Sequence, residues 1–597
     1  MKTGKTDPNR RSFRWDLLFL TALALLINLT VLLSASAKEK KERVDVEIEG
    51  VRKGLLENIH AYLSLEHPPS PPTEEAVRRL YDQAPDEIRK ALQALGYYRP
   101  TIHSELTETD SGWRARFDID PGSPVRIKQI DLEILGEGAE DPAFEEAEKK
   151  LPLHEGDQLD HGDYEKVKAT LQNLAAERGY FDAAFTTHRI DVNLEENSAD
   201  IVLHYDTGPR YRLGRVRFKQ EKEEFSIHLL DRFVLFEPGT PYHTNRLLEL
   251  NGALSGSDYF NTVEIRPLQE EKEDLLVPLE VTVSPRKQYQ LSAGIGYGTD
   301  TGPRVSFGWE DRYINPWGHR FRAETELSVL RKSVSATYEV PRSYPPTDKL
   351  KFQIGLLQER TEIAENKRGL VGVSRSKGRS NGWIETIFLN YQYETFRISD
   401  QNGISHLVLP GITWTRTRSN DPVYPTQGHR LTFLIEGTDR ALGSDVRMVQ
   451  GQIHAKYIYP LGNRQRLLFR SELGATSVSN FNELPVSLRF FAGGDLSVRG
   501  YRYNVLGPKN DLGDVIGGRY LMIGSVEYDH RIKQSFAAAV FYDLGNAINH
   551  FDDPLKESVG VGLRWFSPVG PIRIDVAYAL REPGISLRLH VNMGPDL

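Results

Sequence analysis

Apolar and polar positions alternate strictly through the C-terminal half of this chain. From Val559 to Phe566, the apolar Val559, Val561, Leu563 and Trp565 are interleaved with Gly560, Gly562, Arg564 and Phe566. Ile572, Ile574, Val576, Tyr578 and Leu580 then alternate with Arg573, Asp575, Ala577 and Ala579. Ile585, Leu587, Leu589, Val591 and Met593 alternate in turn with Ser586, Arg588, His590 and Asn592. Successive side chains of a strand point to opposite faces, so a period of two with charges on the minority face describes strands that are apolar on one side and wet on the other. His319 to Val329 repeats the pattern with Arg320, Arg322, Glu324 and Glu326 on the polar face. A soluble sandwich also alternates, but its strands average about 5 to 6 residues. These runs are nearer the roughly 9 to 11 residues that a tilted transmembrane strand needs. The pattern predicts a membrane β-barrel with a charged, water-filled lumen. Counting from Tyr289 to Met593 gives about sixteen antiparallel strands, even as bacterial barrels require. Gln358 to Asn381 is the region where the strand boundaries are ambiguous.

Ahead of the barrel the chain repeats with a period of roughly eighty residues. Helical stretches end at Leu95-Gly96-Tyr97-Tyr98, Arg178-Gly179-Tyr180-Phe181 and Ser257-Asp258-Tyr259-Phe260. A glycine after a helix takes the left-handed cap, and an aromatic just beyond folds back on the last turn. The third copy has Ser-Asp in place of the glycine and is the weakest match. The turns Asp120 to Ile127 and Asp206 to Leu213 each close one unit and launch the next, and Ser284 to Tyr289 leads into the barrel. This spacing predicts three small α+β modules at 38–123, 124–210 and 211–286, then a barrel at 287–597. The acidic runs Glu221 to Glu224 and Glu270 to Asp274 read as solvated loops, with a partner site as the alternative.

At the start, Lys2, Lys5, Arg10, Arg11 and Arg14 precede an apolar run from Leu17 to Leu33 that ends at Ala35-Ser36-Ala37. This has the layout of a signal peptide, 1–37, with a mature start near Lys38; an uncleaved anchor helix is the alternative. Net charge is -8, and beyond the N-terminus no apolar run is long enough for a spanning helix, as expected when every second strand residue is polar. With no cysteine, no disulfide framework, thiolate metal site or cysteine nucleophile is available. The sequence has no Gly-x-Ser-x-Gly elbow, no His-Glu-x-x-His and no complete phosphate loop, so no catalytic residue, metal ligand or cofactor is expected, and nothing points to nucleic acid.

Loop lengths set the sidedness. Turns at Pro460 to Asn463, near Ile532-Lys533 and at Ser567 to Gly570 are short, whereas Thr476 to Arg519 and Leu544 to Lys556 are long. Short turns belong to the periplasmic side and long loops to the outside. The longest loop reads Arg489-Phe490-Phe491-Ala492-Gly493-Gly494-Asp495-Leu496-Ser497-Val498-Arg499-Gly500-Tyr501. A guanidinium has five donors in a rigid fork, and flanking glycines let the backbone turn tightly enough to present it, which suits a loop that plugs into a polar cavity. The alternative is an ordinary surface arginine. Strand parity puts Ala537, Ala539, Phe541 and Asp543 in the lumen, with Glu527 and Asp529 as inward rivals on the preceding strand.

That loop, together with Gly524-Ser525-Val526-Glu527-Tyr528, Phe541-Tyr542-Asp543-Leu544-Gly545 and Arg564-Trp565-Phe566-Ser567-Pro568-Val569-Gly570-Pro571, resembles the sixth-loop signature and last-strand motifs of the BamA/TamA superfamily. Within it, three polypeptide-transport-associated (POTRA) modules are similar to the TamA type; BamA relatives usually carry five and two-partner secretion pores usually two. The resemblance implies a loop tucked into the lumen as a lock formed by Arg499, Gly500 and Tyr501, with Asp543 the first-choice acid and Glu527 the second. It implies assembly or secretion of unfolded outer-membrane and autotransporter clients, contact with outer-membrane lipid, and a TamB-like periplasmic partner anchored in the inner membrane. A two-partner-type secretion pore and a BamA-like general insertase are the alternatives.

The first strand carries Gly294, Gly296 and Gly298, and the last ends at Val591, Asn592 and Gly594. Glycine weakens a strand, so the seam between these ends is expected to pair poorly; relief of crowding on the wall is the other reading of the same glycines. The resemblance implies that the seam opens sideways and offers strand edges to clients by β-augmentation.

Overall fold

A computed structural model describes residues 43–69, 73–109, 112–421, 424–567, 570–580 and 586–593. The signal segment 1–37, Ile585 and the seam residue Gly594 lie outside them. The chain divides into two units, 1–212 with 241–244, and 213–240 with 245–597.

The first unit holds two modules. In one, Arg43–Glu49 pairs in parallel with Gly112–Asp120, which pairs antiparallel with Thr101–Thr109. Helices Lys53–Tyr62 and Glu74–Ala94 supply Ile59, Ile88 and Leu92 to a core closed by Phe117. The other repeats the plan, with Arg126–Leu135 parallel to Ser198–Asp206 and Ala184–Asn193 antiparallel to it. Its helix His161–Arg178 ends on Gly179 at φ 86°, where a Cβ would stand 2.5 Å from that of Tyr242, so only glycine fits.

Asp141 caps the short helix Pro142–Glu148, accepting from the Ala143 N–H, and takes bonds from Arg178 Nε at 2.6 Å and Tyr180 Oη at 3.0 Å. Burial opposes its ionisation, but these donors win and hold the carboxyl below the ordinary carboxylate range. Burial, with Asp141 alongside, pushes the Tyr180 hydroxyl up to about 12. An acid with a depressed pKa stabilises the fold above its unfolded value and loses that contribution as pH falls. The second module is therefore expected to lose amide-exchange protection on acidification below about pH 4. Asp141→Asn is expected to flatten that dependence; an unchanged profile in the variant would count against the assignment.

The second unit contains the third module and the barrel. The third sheet runs Arg212–Gln220, Leu276–Pro285, Phe260–Pro267. Where the other repeats cap with glycine, Asp258 takes the left-handed conformation itself at φ 62°, a geometry aspartate tolerates. The next residue, Tyr259, donates to the Gly318 carbonyl at 2.6 Å, and the Arg320 guanidinium stands 4.1 Å over its ring. The last module is thereby tied to the first periplasmic turn of the barrel.

Among the described residues the barrel sheet has sixteen strands, each pairing with its chain neighbour, from Tyr289–Gly298 to Leu587–Met593. The ambiguous region resolves into Lys349–Arg360 and Ala364–Gly378, two strands joined by a three-residue turn, 361–363. Parity follows the sequence reading: along Phe536–Ile548, Phe536, Val540 and Tyr542 are exposed, while Ala537, Ala539, Phe541 and Asp543 are buried inward. The long loop spans 479–519, because the preceding strand continues through Val478, and Phe536–Ile548 also runs past the expected end at Leu544.

Candidate functional site

The loop enters the lumen on two anchors. At the mouth, Arg489 donates from Nη1 and Nη2 to Oε1 of Gln401 on the barrel strand Gln401–Ser419, at 3.1 Å each, while its Nε and Nη1 hold the loop together through the Leu484 and Ile516 carbonyls. Deeper in, Val498 and Tyr501 are buried with Phe490, Leu506, Leu521, Ile523 and Ala579. Gly500 between them has φ 94°, and a Cβ there would come within 3.2 Å of the Ala579 nitrogen, so the backbone lies against the barrel wall.

That approach delivers Arg499 into a carboxylate cage. Its Nε meets Asp543 Oδ2 at 2.8 Å and its Nη2 meets Asp543 Oδ1 at 2.9 Å, a bidentate fork. The Arg499 backbone N–H adds a third bond to the same acid at 3.1 Å, and the Ser525 hydroxyl donates to Asp543 Oδ1 at 2.6 Å. Nη1 reaches Glu527 at 2.6 Å and Asp575 at 3.0 Å. Below the guanidinium lies the Phe541 ring, 3.3 Å from centroid to Cζ. Arg499 is 5% exposed and Asp543 fully buried.

A second guanidinium completes the cage. Arg564 bonds Glu527 Oε1 at 2.7 Å and Asp575 Oδ1 at 2.5 Å, so both acids bridge the two arginines. Arg470 donates to the Ser497 carbonyl of the loop at 2.6 Å and lies 3.9 Å from Asp543. Three carboxylates and three guanidiniums therefore share one buried cluster, in which each charge is paired.

The structure brings Arg499 to both Asp543 and Glu527, so first and second choice are joint partners. Asp575, Arg564, Ser525 and Phe541 were not singled out as partners. Their signal was present in the alternation, which put Asp575 and Arg564 on the polar face. Asp529, the other inward rival, is hydrogen-bonded to Arg466 at 2.7 Å and lies 3.9 Å from Arg564 at the edge of the cage. Gly500 N–H donates to His590 Nε2 at 2.8 Å, and Tyr501 Oη to the Glu557 carbonyl at 3.4 Å.

At the seam, the first and last strands share no ladder among the described residues. The contact found there is Thr299 N–H to the Val591 carbonyl at 3.3 Å, with Val591 N–H returning to Thr299 Oγ1 at 3.1 Å. Val591 thus faces Thr299, just past the outer end of the first strand, rather than Gly294. Gly298 is beside this contact, where a Cβ would stand 3.9 Å from the Val591 oxygen. Gly294 and Gly296 instead give room to Ser306 and Arg304 of the second strand, at 2.6 and 2.7 Å from a built Cβ, which favours crowding relief at those two positions. Asn592 lines a lumen cavity of ≈ 220 Å³ with Arg499, Asp495 and His590.

Residues 287–596, more than half of the chain, match the profile of the Omp85 superfamily domain. Residues 45–121 match that of the POTRA domain TamA domain 1, and 137–208 a POTRA profile described as surface antigen variable number repeat. The outer membrane protein assembly factor BamA of Nitratidesulfovibrio vulgaris is 24% identical over 69% of this chain and 54% of its own length, so this chain spans about half of that relative. BamA of Neorickettsia risticii is 21% identical over 83% of this chain and 69% of its own. The crystal structure of Haemophilus ducreyi BamA lacking POTRA domains 1–3 shares the fold at a TM-score of 0.62 and 18% identity, covering 78% of this chain and 98% of that one.

Proposed function

Because the chain belongs to the Omp85 superfamily, we propose that it handles outer-membrane clients by opening the seam between its first and last barrel strands. As a member it is an outer-membrane assembly or secretion factor, its barrel in the outer membrane and its POTRA modules in the periplasm. The observation that supports the seam reading is the missing ladder among the described residues: the first and last strands meet through Thr299, just beyond the first strand, and Val591, where every other neighbouring pair is laddered. Unpaired edges are templates for an incoming strand, and β-augmentation supplies its affinity through backbone bonds.

We assign the chain to the TamA type, with modules at 38–123, 124–210 and 211–286. The TamA-type profile over 45–121 and the three module sheets support this. On this reading its clients are autotransporter-like and its partner is TamB-like. A BamA-like general insertase is the second reading, favoured by the names of the similar relatives. Co-purification from membranes with mass spectrometry discriminates the two. A large inner-membrane-anchored periplasmic protein in the eluate supports the first, and an eluate that holds outer-membrane clients without it supports the second.

Sidedness has its own test. A protease-cleavable tag belongs in the exposed turn at Glu195-Glu196 rather than near the buried cap Asp141. The tag is expected to resist protease on intact cells and to be cut once the outer membrane is permeabilised. Cleavage on intact cells would reverse the orientation.

A further inference from the structure

One cluster is unused by the cage. Asp300 in the first hairpin turn, Asp495 in the long loop and His590 in the last strand place ligand atoms within 4.8 Å of one another. The three belong to segments that meet at the seam's outer end. Asp495 Oδ1 accepts from Thr299 Oγ1 at 2.9 Å and from the Nδ1 of His590, and the Asp495 backbone N–H donates to Asp300 Oδ2 at 2.5 Å. Gly494 permits the approach: at φ 108°, a Cβ there would come within 2.5 Å of Asp300 Oδ2.

A divalent cation is the first chemistry to weigh, because Asp300 Oδ1 is buried without a hydrogen-bond partner. The histidine decides against it. Gly500 N–H donates to Nε2, so that nitrogen carries no proton, and Nδ1 must hold the ring's proton and donate to Asp495. A metal on Nδ1 would move the proton to Nε2 and set it against the Gly500 N–H. The ring is already committed at both nitrogens, and His590 is 2% exposed.

We propose that Asp495 and His590, with Asp300 and Thr299, form a hydrogen-bonded clasp by which the long loop holds the seam closed. The inference rests on the seam reading and adds what it lacks, a reason why two unladdered strands stay together. Thr299 Oγ1 donates to the loop while accepting from Val591, so the loop carboxylate orients the very hydroxyl that joins the two strands. His590 ties the last strand to the same carboxylate and, through Gly500, to the residue next to Arg499. Withdrawing the loop therefore removes both ties at once, and seam opening and loop release become one event. His590 and Asp495 are positioning residues here.

The full chain lacks cysteine, so Tyr297→Cys and Leu589→Cys, at positions 54% and 53% exposed on the first and last strands, carry spin labels that do not touch the clasp. The inter-label distance distribution is read in lipid vesicles. With the clasp intact a narrow closed peak is expected. His590→Phe keeps the ring and removes both nitrogens, and it is expected to raise the open fraction about tenfold, the worth of one or two hydrogen bonds. Asp495→Leu should do the same. Asp495→Asn retains an acceptor oxygen and should restore the closed peak, a rescue that a merely space-filling side chain would not show. If His590→Phe misfolds, the two Asp495 variants suffice, since that residue lies in the loop. An added peptide with an outer-membrane client's C-terminal strand separates the two claims. Widening with peptide but not with the clasp variants overturns the clasp and leaves lateral opening standing, whereas no widening under any condition overturns both. A closed peak sharpened by Zn²⁺ and broadened by EDTA would also overturn the clasp, making the cluster a metal site.

Discussion

Arg499→Ala is expected to leave a folded barrel that has lost much of its resistance to heat and most of its client-assembly activity. The size follows from which charge is stranded. Without the loop arginine, Glu527 and Asp575 still share Arg564. Asp543 keeps the Ser525 hydroxyl and an Arg470 guanidinium 3.9 Å away. A fully buried carboxylate that loses a bidentate partner costs about 3–5 kcal/mol, because its desolvation is no longer offset. Arg499 and Asp543 are both buried, so the smaller figure for solvent-exposed pairs, about 1 kcal/mol or less, does not apply. Arg499→Lys is expected to rescue poorly, since a point charge cannot present the fork that Asp543 accepts or stack on Phe541.

The sign of the coupling distinguishes a lock from incidental packing. Asp543→Asn in the Arg499→Ala background removes the stranded charge, so the double variant should be more stable than the single Arg499→Ala. The measurement is a double-mutant cycle on thermal unfolding and on heat-modifiable gel mobility. Additive effects would show that the two residues act separately, and Asp575 and Glu527 would then be the pairs to examine, because both contact Nη1.

The second large effect is expected from covalent closure of the seam. Thr299→Cys with Val591→Cys places a thiol on each side of the one backbone contact between the first and last strands in the described residues. The Thr299 N–H meets the Val591 carbonyl at 3.3 Å, so the two backbones touch here, and a disulfide accepts Cα separations of about 4.4–6.8 Å. Without other cysteines, mispairing within the chain cannot occur. The oxidised protein should migrate as a folded barrel and fail to assemble clients, and reduction should restore activity. Full activity at near-complete crosslinking would reject lateral opening and favour passage through the lumen.

How much was legible in the sequence differs between faces and contacts. A strand's period of two is local, so the alternation in Phe536 to Asp543 was enough to send Asp543 and Phe541 inward and Val540 outward. Helix ends and turn residues set the repeat, which the three sheets follow, and short turns against a long loop identified which end faces outward. The departure at Asp258 was visible too: aspartate stands in the left-handed cap where the other copies use glycine.

Partner choice was not local. Parity puts Glu527, Asp543, Arg564 and Asp575 on the polar face of four successive strands, but it does not say where around the barrel each one stands or how deep the loop descends. The ladder register of these neighbouring strands gathers the four side chains into one patch of the lumen wall, and the close approach at Gly500 sets the depth. Arg499 therefore meets three acids at once, where sequence reasoning ranked two as rivals. The seam obeys the same division. Its glycines were readable, yet Val591 faces Thr299 because the register between the first and last strands depends on the curvature and shear of all the strands between them, a sum over the whole sheet that no local pattern contains.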